Sequence, residues 1–262
     1  MASDALSMQL SELVDRLNEE LAVAEWRGAD YAVNGLQVGP EEESVDHVAF
    51  AVDGVVATAE AAADAGADLL VVHHGVSWGG IDRVTGAEYD RLRALLDGDV
   101  ALYAAHLPLD AHREYGNAAR LCAHLDLEVT EPFGREGPAH VGQRAVTADR
   151  EPYTTDELRG ALAALDGGGD VGVLDFGPEE LRDVAVLTGS GTDWIAEARE
   201  KGVDALVTGE GKQPAYHEAR EAGISVFLAG HYATETFGVR ALADLVDEWG
   251  PETTYLPHPT GL

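Results

Sequence analysis

The stretch Leu69-Leu70-Val71-Val72-His73-His74 ends an apolar run on two adjacent imidazoles. A buried strand that ends this way holds two good donors for borderline divalent cations in a rigid place. Two later stretches end in related chemistry. "VALYAAH" (100–106) is followed by Asp110, and "SVFLAGH" (225–231) is followed by Glu235, so each reads strand, His, three residues, carboxylate. Imidazole and carboxylate together suit Zn²⁺, Mn²⁺, Fe²⁺ or Co²⁺. Cys122 is the sole cysteine, which excludes an intrachain disulfide and a thiolate cluster and disfavours copper(I) and iron–sulfur. Neighbouring residues on a regular strand face opposite ways, so His73 and His74 suit two adjacent ions better than one. The candidate metal ligands are therefore His73, His74, Asp110, His231 and Glu235. Asp110 and Glu235 could bridge the two cations and offset their charge. Open positions left for water favour catalysis or substrate binding over a purely structural role. His47, His124, His140 and His258 have no such company and read as surface or structural. His112 and His217 lie near a strand end or a site loop and read as groups that orient the ligands.

These side chains need a scaffold. Leu10, Leu13, Val14, Leu17 and Leu21 fall at helical spacing and predict an amphipathic helix over 7–24. "YAVNGLQVGP" follows, with Asn34-Gly35 marking a turn. "VDHVAFAVD" reads as a strand, "GVVATAEAAADAGA" as a helix stopped at Gly66, and "DLLVVHH" as a second strand. "EYDRLRALLDGD" then reads as a helix, "VALYAAH" as a strand and "NAARLCAHLDL" as a helix. Strand–helix–strand alternation predicts an α/β fold with a parallel or mixed sheet covered by helices. Residues 138–178 depart from it, with a short strand, a helix from about Thr155 to Leu165, the loop "DGGGD" and the strand "VGVLDF"; they look like an insertion or a small second unit.

The grammar of the first half then returns. Residues 46–75 align without gaps on 182–211, with Val48/Val184, Ala49/Ala185, Gly66/Gly202, Asp68/Asp204 and Gly75/Gly211 identical. His106 falls opposite His231, Asp110 opposite Glu235, and His74 opposite Glu210. An internal duplication is the natural reading. It divides the chain into a first α/β half (1–130), a short central segment (131–181) and a second half (182–262), the halves intertwined. Beyond the strand Val184–Leu187, Gly189-Ser190-Gly191 opens toward a helix. Its amides could hold a phosphate, but it fits neither the dinucleotide fingerprint nor the P-loop, and an ordinary tight turn is favoured.

Composition bounds the setting. The formal charge of −31, with only Lys201 and Lys212 as lysines, is spread along the chain and resembles that of proteins from salt-loaded halophile cytoplasm. No cluster of basic residues is present to bind nucleic acid phosphates. No apolar run reaches the ~18 residues of a membrane span, and Met1-Ala2-Ser3-Asp4 carries no basic or apolar signal segment. A soluble cytoplasmic protein is expected.

With these residues assembled, the chain resembles the GTP cyclohydrolase 1 type 2 homologues, also called NGG-interacting-factor-like proteins. The matching stretches are "NGLQV" (34–38), "GADLLVVHHGVSW" (66–78), "HLPLDAH" (106–112), "GNAARL" (116–121), "DALVTGE" (204–210) and "AGHYATETFGVRAL" (229–242). They cover most of the chain, and the absence of a long central insertion resembles the short bacterial and archaeal form. The resemblance implies two similar intertwined α/β halves and a dinuclear metal centre on His73, His74, Asp110, His231 and Glu235. It also implies a toroidal homo-hexamer whose sites face an internal cavity, which the residues alone do not reveal. Relatives often place a small residue and an acid after "TGE", whereas this chain has Gly211-Lys212-Gln213. The family name implies opening of the guanine ring of GTP. A water acidified by metal could attack C8 of guanine, a phosphorus or an acyl carbon, with Glu210 and His217 as candidates for proton transfer or for support of the ligands. The expectation is a metal-dependent hydrolase acting on a nucleotide or similar small molecule. The alternatives are a metal-binding or metal-delivery protein without turnover, and a scaffold whose metals hold a ring together.

Overall fold

The structure, a computed structural model, describes residues 7–40, 42–148 and 151–262. The signal-segment reading of Met1 to Asp4 lies outside the described residues. In chain order the strands are Met8–Gln9 (β1), Gly35–Val38 (β2), Ser44–Val45 (β3), His47–Asp53 (β4), Leu69–His74 (β5), Ala101–Ala104 (β6), Glu128–Glu136 (β7), Ala139–Val146 (β8), Gly172–Leu174 (β9), Asp183–Val186 (β10), Ala205–Thr208 (β11), Ser225–Leu228 (β12) and Glu252–Tyr255 (β13). The helices are Leu10–Glu20 (α1), Val56–Asp64 (α2), Ala87–Asp97 (α3), Leu107–Asp110 (α4), Asn117–His124 (α5), Thr155–Ala163 (α6), Ile195–Lys201 (α7), Ala215–Ala222 (α8) and His231–Trp249 (α9). The fold is mixed α/β, as the alternation predicts. Among the described residues no helix is long and apolar enough to cross a membrane.

The chain divides into two compact units, each drawn from two stretches of sequence. Unit 1 takes residues 1–109 and 238–258, and unit 2 takes 110–237 and 259–262. Unit 1 is built on a sheet of order β13-β4-β5-β6-β2, parallel except for β2. Strands covered on both faces must be apolar throughout, and Leu69, Leu70, Val71 and Val72 of β5 are fully buried. Ala59 and Ala62 of α2 and Leu95 of α3 close over Leu70, Val72 and Leu102. Unit 2 has the order β7-β8-β10-β11-β12-β9, with β10, β11 and β12 parallel. Leu121, Cys122, Leu158 and Leu162 of α5 and α6 pack there with Val184, Val186, Val207 and Phe227.

The same arrangement occurs in each unit. An antiparallel edge strand, β2 or β9, precedes three parallel strands, β4-β5-β6 or β10-β11-β12, joined by α2 and α3 or by α7 and α8. The aligned aspartates also do the same work. Asp68 accepts from the backbone N–H groups of Asp46 and His47 at 2.8 and 3.0 Å, and Asp204 from those of Arg182 and Asp183 at 2.9 and 3.0 Å. In both places the carboxylate ties the start of one parallel strand to the residue before the next.

Several expectations need correction. The first helix is shorter than 7–24: Ala22 takes a left-handed φ of 48° and a 3-10 turn, Val23–Trp26, follows. Asn34-Gly35 opens β2, with Gly35 at φ 103°, a conformation that favours glycine. Residues 138–178 are no separate insertion, because β8 pairs with β10 and β9 with β12, so both belong to the second sheet. β7, absent from the sequence reading, is a largely exposed strand carrying Pro132, and β8 is its hairpin partner. The unit boundaries fall after Leu109 and Phe237, where the sequence suggested 130/131 and 181/182.

Candidate metal centre

In unit 1 the parallel register places Asp53, the last residue of β4, beside His74, the last residue of β5. The His74 Nδ1–H donates to Asp53 Oδ1 at 2.9 Å. His73, fully buried, donates its Nδ1–H to the carbonyl of Ala105 at 2.8 Å. That carbonyl lies just past β6. A carbonyl only accepts, so the neutral His73 ring carries its proton on Nδ1 and has Nε2 as its acceptor nitrogen.

His106, just after β6, is held the same way. Its Nδ1 lies 3.0 Å from Asp30 Oδ1, and its backbone N–H donates to Asn34 Oδ1 at 2.7 Å. Asp30 also accepts from the amides of Ala32 and Leu107 and from Asn34 Nδ2. Burial pushes the Asp30 carboxyl up, but these hydrogen bonds and the neighbouring imidazole outweigh it and hold Asp30 below the usual carboxylate range. The indole of Trp78 stands edge-on to the His106 ring, 5.2 Å between centroids, and donates to the carbonyl of Gly75. His73, His74 and His106 each present one donor atom, and the three lie within 4.8 Å of one another.

The "NGLQV" stretch explains how these loops are set. Asn34 fixes the loop of His106, while Gln37 Oε1 accepts from the amides of Val76 and Ser77 at 2.8 and 3.1 Å. A Cβ on Gly75 would fall 2.4 Å from the Gln37 amide group and 2.7 Å from the Ala104 methyl, so glycine is required directly after the double histidine.

In unit 2, His231 opens α9. Its Nε2 is 3.1 Å from Glu235 Oε2, one helical turn on, and its Nδ1 is 3.2 Å from Glu210 Oε1. Burial depresses the His231 pKa, but the hydrogen bonds and charge of Glu235 and Glu210 outweigh it and raise it to about 9. Glu235 is buried at 3 % exposure. The turn at Gly189 presses on this pair: with φ 62°, a Cβ there would lie 2.4 Å from Glu235 Oε1 and 3.2 Å from His231 Nε2. Asp110 is also buried and accepts from Asn117 Nδ2 at 2.8 Å.

The structure thus brings His73 and His74 together in unit 1 and His231, Glu235 and Glu210 together in unit 2. The His217 ring stands edge-on to Tyr216 on α8. Among the described residues, none of its hydrogen bonds or ring contacts involves Glu210, His231 or Glu235. His112 Nδ1 accepts from the amides of Glu114 and Tyr115. The amides of Gly189 and Gly191 donate to Thr234 and Thr208 Oγ1, so this loop is a closed turn and not a phosphate cradle. In the Gly211-Lys212-Gln213 loop, Lys212 pairs with Asp193 and its amide donates to Thr192. Asp30 and Asp53, which orient the rings, escape sequence reasoning because His106 and Asp30 are 76 residues apart and nothing local links them. The Asp53 position at a strand end next to the His74 strand was the available signal.

The donor set fits a divalent cation. Ring nitrogens backed by carboxylate or carbonyl acceptors are the usual outer support of metal-bound histidine. Cys122 offers nothing to it, since burial raises its thiol to about 12.

Residues 8–257 match the family model Duf34/NIF3 (NGG1p interacting factor 3). A Halobacterium salinarum protein named GTP cyclohydrolase 1 type 2 homolog is 58% identical over 257 residues, covering 97% of this chain and 100% of its own. A Pyrococcus abyssi protein of the same name is 42% identical, with 97% and 100% covered. The crystal structure of a Thermus thermophilus protein superposes with a TM-score of 0.86 at 36% identity, covering 97% of this chain and 100% of that one. Sequence and fold agree, and the chain belongs to the Duf34/NIF3 family.

Proposed function

We propose that the chain is a dinuclear metal-dependent hydrolase acting on a nucleotide or a related small molecule, its ions held by His73, His74, Asp110, His231 and Glu235. One observation carries the reading. His73 and His74 have Nδ1 engaged, by Ala105 O and Asp53, which makes Nε2 the nitrogen suited to a ligand role, and His231 and Glu235 stand 3.1 Å apart as a second imidazole–carboxylate pair. The relatives' shared name, GTP cyclohydrolase 1 type 2 homolog, supports a nucleotide as substrate. In this reading six chains assemble into a ring, as the family resemblance implies.

A bound divalent cation supplies Lewis acidity, polarising a carbonyl or phosphoryl oxygen and acidifying a coordinated water. The protein's own groups do the rest. Asp53 and the Ala105 carbonyl fix the tautomers of His74 and His73. Glu210 orients His231, and its half-exposed carboxylate receives a proton at the oxygen turned away from that ring. His217, turned toward Tyr216, is not needed for this step. Asn117 Nδ2 donates to Asp110 Oδ1 and would keep that carboxylate in place to hold a cation.

Metal-depleted protein in high salt, reloaded with Mn²⁺ or Zn²⁺ and assayed on GTP and other nucleotides, tests this. Two ions per chain and metal-dependent turnover are expected, with His74→Ala about 10–100-fold slower. Turnover that survives His74→Ala unchanged overturns the mechanism. Two exchangeable ions without turnover in a broad screen identify a metal carrier instead.

A further inference from the structure

A cavity of about 780 Å³ lies wholly within unit 1, lined by α1, the Val23–Trp26 turn, the loop 27–34 and the start of β2. Pockets for small organic ligands are of this size, roughly 300–1,000 Å³. We infer that the cavity holds the guanine base of a nucleotide, with Tyr31 stacking on the ring and the Asn18 amide donating to it; this rests on the reading of the chain as a nucleotide-acting protein and names where the base is held.

Four observations carry it. The wall is chiefly apolar, with Val14, Trp26 and Leu36 in it, which suits a ring leaving water. Tyr31, also in the lining, is 71 % exposed. A Cβ on Gly79 would lie 2.6 Å from the Tyr31 ring, so the ring is seated on glycine backbone and keeps the rest of its surface free. An exposed aromatic face is a platform for a base. Asn18 supplies direction. Tyr103 is fully buried, and its hydroxyl donates to Asn18 Oδ1 at 3.1 Å, a bond that is costly to lose. It fixes the amide and leaves Nδ2, which has no hydrogen bond among the described residues, as the group offered to a ligand. A donating amide suits guanine, whose O6 and N7 both accept, whereas adenine at N6 and N7 needs a donor and an acceptor together. Fourth, Arg27 stands exposed in the same lining and forms no ion pair among the described residues. In a chain of 48 acidic side chains against 17 Lys and Arg, an anionic ligand needs such a cation, and Arg27 offers it to the phosphate. The exposed Glu19 carboxylate, next to Asn18 on α1, is an acceptor for the base's own N–H groups. Asp30 and Asn34, whose hydrogen bonds hold the His106 loop, are also in the wall, so a bound base adjoins that loop.

The test is calorimetric titration of the full chain, metal-free in chelator and high salt, with guanosine monophosphate and adenosine monophosphate. One site is expected, with the guanine nucleotide bound at least about tenfold more tightly. Tyr31→Ala should weaken both nucleotides about tenfold or more. Asn18→Asp keeps the acceptor for Tyr103 but removes the donor, and should erase the preference for guanine. Arg27→Gln should weaken guanosine monophosphate and leave guanosine itself unchanged. Tyr89→Ala, an exposed aromatic on α3 outside the cavity, should change nothing. Circular dichroism confirms that each variant folds. Equal affinity for the two nucleotides, or binding of guanosine monophosphate that neither Tyr31→Ala nor Asn18→Asp weakens, overturns the inference. So does the absence of binding to metal-free protein at millimolar nucleotide. In each case metal-dependent turnover of GTP, measured separately, decides whether the proposed function stands without this cavity.

Discussion

At the scale of single residues, the candidate metal centre depends on the groups that hold its histidines in place. Asp53 fixes His74 through one hydrogen bond at the end of a neighbouring strand. Asp53→Asn should therefore lower divalent-metal affinity about 10–100-fold with little change in fold, measured by calorimetric titration. An unchanged affinity would mean that His74 is oriented by something else. His231 makes a pH prediction. Its folded pKa, about 9, lies above its ordinary 6.5, so its contribution to metal-free stability is complete below about pH 6.5 and is lost as pH rises through 9. Denaturant unfolding of metal-free protein across that window should show the loss, and His231→Ala should abolish it. Metal binding at His231 must also expel this proton, so uptake below pH 9 releases protons to the buffer. The ligand types were legible in the sequence because strand-end histidines and carboxylates are rare and repeated. Their orienting partners were not, because Asp30 reaches His106 only through the fold.

At the scale of elements, a tight turn is part of the site. Gly189 adopts φ 62° against Glu235 and His231. Gly202 has nearly the same backbone, φ 68°, with nothing within 4 Å of a Cβ. Both changes to alanine cost the left-handed strain of roughly 1–2 kcal/mol, but only Gly189→Ala adds a collision with Glu235 and His231. It should lose affinity at unit 2 while Gly202→Ala keeps it, by titration of both. Equal effects would reduce Gly189 to a turn residue. Asp68 and Asp204 give a second comparison. Each accepts two backbone N–H groups, and either change to alanine should destabilise its unit by about 1–3 kcal/mol in denaturant unfolding. The core strands were legible as continuous apolar runs, the signature of strands buried on both faces. β7 was not, since "EVTEPFGRE" is mostly exposed and its pairing with β8 supplies the order that its sequence does not. The short α4, Leu107–Asp110, was likewise hidden, being one turn too brief to show a period. The recurrence of edge strand, strand, helix, strand, helix, strand in each unit supports the internal duplication read from the alignment.

At the scale of the whole molecule, charge sets the working conditions. A formal charge of −31 repels itself in dilute buffer, and at ~1 M salt the Debye length shrinks to ~3 Å. The thermal midpoint should rise steeply from ~0.1 M to ~1 M KCl, by about 2–4 °C for each kcal/mol of repulsion relieved. A midpoint independent of salt would remove the halophile reading. The total charge was readable from composition, whereas the division into two units was not, because each unit closes with a distant stretch of chain. The central claim is the proposal that His73, His74, Asp110, His231 and Glu235 hold a pair of divalent cations. Anomalous diffraction from a zinc-soaked crystal tests it most directly. Two anomalous peaks are predicted, with His73, His74 and His231 nitrogens and Asp110 and Glu235 oxygens at about 2.0–2.2 Å from them. No peak beside these side chains, or peaks bound only to surface carboxylates, would contradict it.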